Sequence, residues 1–64
     1  MYIIKDIDNN AYFTGEFNKG LLYETVPEFH RRERKAKQYP KIDAFPTAKY
    51  LAAREGRPME VKKI

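Results

Sequence analysis

Six cationic side chains fall within residues 26–41: Arg31, Arg32, Arg34, Lys35, Lys37 and Lys41, against only Glu28 and Glu33. Guanidinium forks and ammonium groups at this density bind phosphates or carboxylates, and phosphate contacts give affinity without reading base sequence. On a helix over this stretch, Glu28 would pair with Arg32 and Glu33 with Lys37 at i,i+4 spacing. Arg31, Arg34 and Lys35 would then be left without a neutralising neighbour. Together with Lys41 they form the candidate surface for a nucleic acid or an acidic protein partner. The plain alternative is a solvated face that keeps the chain in solution. The charge is uneven along the sequence. Residues 1–25 set Lys5 and Lys19 against Asp6, Asp8, Glu16 and Glu24, a balance of −2, while the whole chain carries +4. This polarity favours partners of negative charge.

Catalytic chemistry has little to work with. Serine and cysteine are absent and His30 is the single histidine. Its neighbours Arg31 and Arg34 would disfavour the charged imidazole, and no nucleophile of the usual kind stands ready for it. Asp6 with Glu16 or Glu24 offers carboxylates, but no spacing that forces them into a pair. Asp6, Asp8, Asn9 and Asn10 lack the twelve-residue calcium-loop pattern and read as a hairpin turn. A non-enzymatic protein without metal or cofactor is therefore expected. Tyr2, Tyr12, Phe13, Phe17 and Tyr23 supply either a stacking platform for bases or the core of the fold. Phe17 lies in a polar stretch between two glycines. Tyr50 lies on the side of its helix away from Ala44 and Ala48. These two are candidate interface anchors.

The elements that position these residues follow from residue type and period. Tyr2–Ile7 is rich in β-branched and aromatic residues and reads as a strand, with Ile3 and Ile7 on one face and Tyr2 and Ile4 on the other. Asp8–Asn10 is a turn, and Ala11–Thr14 a second strand closing an antiparallel hairpin. Leu21–Glu24 is a short third strand. Thr25-Val26-Pro27-Glu28 has capping-box spacing, which predicts a first helix over residues 28–39, stopped by Pro40. Its apolar stripe is thin: Phe29, Ala36 and Tyr39. Asp43 is the candidate cap of a second helix lined by Ala44, Phe45, Ala48, Leu51 and Ala52, with Pro46 in its first turn and Gly56 as its end. Met59–Ile64 is the closing strand.

The expected fold is α+β, a small antiparallel sheet in ββ(β)ααβ order with two short helices on one face. The other face and the edges would be open, so a homodimer is a further expectation. With 64 residues, the chain buries roughly 60% of its unfolded surface, enough for one domain over residues 1–64 with one modest core. Length alone excludes the large nucleotide-binding and barrel enzymes. The absence of cysteine suits a reducing cytoplasm, and no signal peptide or membrane-length apolar stretch is read at the N-terminus.

The tyrosine-isoleucine strand and hairpin are followed by Ala36-Lys37-Gln38-Tyr39, an alanine-spaced helix and a closing Glu60-Val61-Lys62-Lys63-Ile64 strand. This layout resembles small proteins of phage and prophage origin in bacteria, many without an assigned role. The resemblance covers most of the chain and contains no functional motif, so no functional residue carries over. It implies a viral accessory protein of the bacterial host cytoplasm and no sharper function; binding of nucleic acid, or binding or inhibition of a host protein, is expected from the basic segment and the candidate anchors instead.

Overall fold

A computed structural model describes residues 1–64. Four antiparallel strands form one sheet in the order β3-β2-β1-β4: β1 (Tyr2–Asp6), β2 (Ala11–Lys19), β3 (Thr25–His30) and β4 (Met59–Lys63). A single helix, α1 (Lys41–Glu55), covers one face. A 3-10 turn at Glu33–Lys35 lies in the connection from β3 to α1.

The first expected helix does not form, and with it goes the third strand at Leu21–Glu24. Leu21–Tyr23 turns the chain, and Thr25–His30 is the strand. Thr25, Val26 and Phe29 are strand formers, and pairing with β2 sets Phe29 opposite Phe13, with ring centroids 5.7 Å apart. A helix could bury only a thin stripe. Tertiary pairing therefore overrides the helix propensity of the Arg-, Lys- and Ala-rich sequence. Glu28 caps nothing. Its carboxylate instead accepts hydrogen bonds across the hairpin from Thr14 Oγ1 (2.7 Å) and Asn18 Nδ2 (3.3 Å). These bonds hold its pKa below the ordinary value.

Alternation along the strands divides the buried residues between two faces. Ile4 pairs with Val61, Asp6 with Met59 and Phe13 with Phe29. This row faces α1, whose Ala48 and Leu51 complete a core with Ile4 and Phe13, joined by Tyr39. Ile3 and Tyr12 point the other way and are nevertheless buried. Residues 33–38 cross that second face as a strap. Glu33 reaches Lys62 Nζ at 2.8 Å, and Arg34, Ala36 and Gln38 surround Ile3. The strap thus covers what was expected to be an open face. Ile7, expected beside Ile3, lies outside the strand and is half-exposed.

The strap then enters the sheet. β1 and β2 pair only at Lys5–Tyr12 and Asp6–Ala11. Beyond that they part, and residues 37–39 fill the gap. Lys37 N–H donates to Phe13 C=O (3.0 Å), and Tyr2 and Tyr39 exchange both backbone bonds (2.8 and 2.7 Å). Backbone groups that the divergence would leave unpaired are satisfied in this way. Tyr39 is held extended, as a residue before proline prefers, and Pro40 is the N-cap. α1 begins two residues before the expected cap, with Asp43 in its first turn where the helix dipole favours an acid. Pro46 consequently sits inside the helix. It cannot donate to the Ile42 carbonyl, but Ile42 is exposed and water can serve that oxygen. Gly56 ends α1 in the left-handed conformation (φ 66°), as expected.

Candidate interaction surface

β2 bends where the surface is built. Between Phe13 and Phe17 the pairing with β3 slips, so Phe17 faces Pro27 rather than continuing the register of Phe13 opposite Phe29. Gly15 lies in this bulge at φ 87°. A Cβ there would run into the Lys37 side chain, which lies across the bulge. Gly15 therefore serves both the turn and the close approach of the strap. Phe17, four residues on from Phe13, shares its face on the helix side and lies edge-on to it with centroids 5.6 Å apart.

Phe17 is one wall of an apolar groove of about 380 Å³ lined by Phe13, Gly15, Phe17, Tyr39, Pro46, Thr47 and Tyr50. Tyr39 stacks parallel to Phe13 at 6.5 Å, and Lys37 Nζ lies 5.5 Å from the Tyr39 ring centre. Burial, with the Asp43 charge, raises the Tyr39 pKa and keeps the phenol neutral. The two anchors named from sequence, Phe17 and Tyr50, thus meet across one groove, each about half-exposed. Phe13 and Tyr39, which form its floor, carry no sign in the sequence that separates them from ordinary core residues.

The basic residues are arranged differently from expectation. Arg31, Arg34 and Lys35 do not share a helix face. Arg31 is in the bend after β3, Arg34 and Lys35 are in the 3-10 turn, and Lys41 opens α1. All four are exposed. Arg34 borders a shallow groove of about 230 Å³ with Ile3 and Ile64, under the strap, whereas Lys41 belongs to the helix layer. The expected pairs Glu28–Arg32 and Glu33–Lys37 are absent. The ion pairs are Arg57–Asp6, Arg57–Glu55, Arg54–Glu55 and Lys62–Glu33. The Lys62 contact lowers the Glu33 pKa and raises its own. None of the six cations of residues 31–41 takes part in an ion pair.

Three further polar side chains, Asp6, Glu24 and His30, bond within the fold. Asp6 is fully buried and accepts from Asn9 Nδ2 (2.8 Å), Asn9 N–H (3.3 Å), Arg57 Nε (2.9 Å) and Arg57 Nη2 (2.8 Å). It does not converge with Glu24, whose carboxylate accepts the Leu22 N–H in the hairpin turn (2.9 Å). His30 Nδ1 accepts the Arg32 N–H (3.0 Å), which shapes the bend after β3. No group of three or more acidic or histidine side chains is placed to hold a metal ion, and no helix is long and apolar enough to cross a membrane. The chain matches no protein-family model, no curated protein and no solved structure.

Proposed function

We propose that this chain is a non-enzymatic binding protein that holds a nucleic acid through the cations of residues 31–41. The observation that carries the reading is their electrostatic state. Arg31, Arg32, Arg34, Lys35, Lys37 and Lys41 stand outside every ion pair, and the one carboxylate among them, Glu33, is held by Lys62. A segment that wraps from one face of the sheet to the helix layer presents these charges to a backbone of phosphates rather than to base edges. Affinity then comes from released counterions and falls steeply with salt. The test is fluorescence anisotropy with labelled duplex and single-stranded DNA and RNA from about 50 to 200 mM salt. Replacing Arg31, Arg34, Lys35 and Lys41 by Gln should flatten the logarithmic salt slope by up to about 0.9 for each duplex phosphate that is no longer neutralised. Absence of binding at low salt refutes the reading.

A second reading has its own observation. The convergence of Phe17 and Tyr50 on one apolar groove supports a protein-interaction module, in the manner of a phage-type accessory protein acting on a component of the host cytoplasm. Capture of a discrete protein from nuclease-treated bacterial lysate, abolished by Tyr50→Asp, favours this reading. Capture that vanishes with nuclease treatment favours the first.

A further inference from the structure

The hairpin joining β2 to β3 ends in three consecutive large apolar residues with no cover. Leu21 is 98% exposed, Leu22 87% and Tyr23 83%. Such a patch on a small domain marks a surface that meets something apolar. The turn beneath it is hydrogen-bonded. Gly20 N–H donates to the Glu24 carbonyl (2.6 Å), Tyr23 N–H to the Gly20 carbonyl (3.1 Å), and Leu22 N–H to the Glu24 carboxylate. Tyr23 completes the turn at φ 63°, a conformation that glycine or asparagine adopts far more readily. Strain of this kind persists where the side chain has a use that glycine would not serve.

We propose that this tip docks in the groove of Phe13, Phe17, Tyr39 and Tyr50 on a second copy of the chain, with the two copies exchanging tips about a two-fold axis. The inference rests on the reading of the groove as a protein-binding site and names its occupant. Charge selects that occupant. Residues 16–24 carry Glu16 and Glu24 against Lys19, whereas at the groove the Lys37 ammonium lies over the Tyr39 ring and its stem crosses Gly15. An acidic-flanked apolar tip suits a basic-flanked apolar groove, and an anionic membrane surface would repel it. Area selects the symmetry. Three such side chains offer roughly 300 Å² and the groove wall they cover about as much again. One docking event therefore buries about 600 Å², below the range of a stable interface, whereas a reciprocal exchange reaches about 1,200 Å², its lower limit. Each copy carries both tip and groove, so the same composite surface meets itself, as an isologous dimer requires.

Sedimentation velocity across a concentration series should show a reversible dimer for the wild type. Leu22→Asp (tip) and Tyr50→Asp (groove) should each sediment as a monomer, with unchanged circular dichroism. At high protein concentration, where the weaker single docking event is populated, adding unlabelled Tyr50→Asp, whose tip is intact, to ¹⁵N-labelled Leu22→Asp, whose groove is intact, should shift the amides of Gly15, Phe17, Thr47 and Tyr50. Tyr23→Gly should raise the thermal midpoint by relieving the turn, yet weaken the dimer by about tenfold or more. A wild type that stays monomeric, a dimer that survives both aspartate variants, or amide shifts outside the groove would each overturn the exchange. If the wild type is monomeric while a captured host protein still depends on Tyr50, the exchange fails and the groove reading stands. If neither depends on Tyr50, both fail.

Discussion

Asp6 fastens the chain at the end of the sheet opposite the hairpin tip, and Asp6→Asn measures that fastening. The carboxylate is fully buried and receives four donors, two from Asn9 in the following turn and two from Arg57, fifty-one residues away. The Arg57 contacts tie β1 to the connection between α1 and β4. The substitution keeps the shape but turns one acceptor oxygen into a donor that faces Arg57 or Asn9. A charge-assisted bond is worth about 1.5–3 kcal/mol against about 0.5–1.5 for a neutral one, so the bonds to Oδ2 from Arg57 weaken and the Asn9 N–H bond to Oδ1 is lost. The Arg57 side chain is 29% exposed and can turn to water, so part of the loss is recovered. The expected net cost is about 2–3 kcal/mol, against a total of about 3–10 kcal/mol for a domain of this size. With a urea slope near 1 kcal/mol/M, the midpoint should fall by roughly 2–3 M.

The effect should also depend on pH, with a definite sign. Burial alone would raise the Asp6 pKa, but the Asn9 and Arg57 hydrogen bonds and the Arg57 charge outweigh it and hold it below the ordinary value of 3.8. A group depressed in the native state stabilises the fold fully above its unfolded pKa, and that stability is lost as pH falls through the native one. The gap between wild type and Asp6→Asn should therefore be constant near neutrality. It should close in acid, below the ordinary carboxylate range. A neutral-pH difference under about 0.5 kcal/mol would refute the assignment. A gap that did not change in acid would show that its origin is packing, not charge.

Two further perturbations test the core and the bulge. Leu51 is fully buried against Ile4, Phe13 and Ala48, so Leu51→Ala should cost about 2–4 kcal/mol in a urea melt, while Ala53→Lys at an exposed helical site should change stability by less than about 0.5 kcal/mol. Gly15→Ala should lose about 1–2 kcal/mol, because a side chain is strained at φ 87° and meets Lys37; the thermal midpoint should drop by about 4–8 °C per kcal/mol, and no drop would mean that the bulge relaxes freely.

Where local chemistry is decisive, the sequence alone determined the outcome. Asp8–Asn10 turns, Gly56 ends the helix, and Ala44, Ala48 and Leu51 face the sheet while Lys49 and Ala53 face water. The first strand, starting at Tyr2, was legible because β-branched and aromatic residues leave it few alternatives, and the last because Met59 and Val61 alternate with charged residues after the turn at Arg57-Pro58. Residues 21–40 were decided only by the tertiary structure. Their Thr25–Glu28 capping pattern and basic composition fit a helix locally, but a helix offers Phe29 little to pack on. Pairing with β2 gives it Phe13, and gives Glu28 both Thr14 and Asn18. That choice also sends residues 33–38 over Ile3 and residues 37–39 into the gap between β1 and β2, neither of which any local pattern encodes. The candidate site divides in the same way. Phe17 and Tyr50 stood out singly because neither fitted the expected core. Their meeting depends on how α1 and Tyr39 pack over the bulged end of β2, long-range packing that no spacing along the chain records.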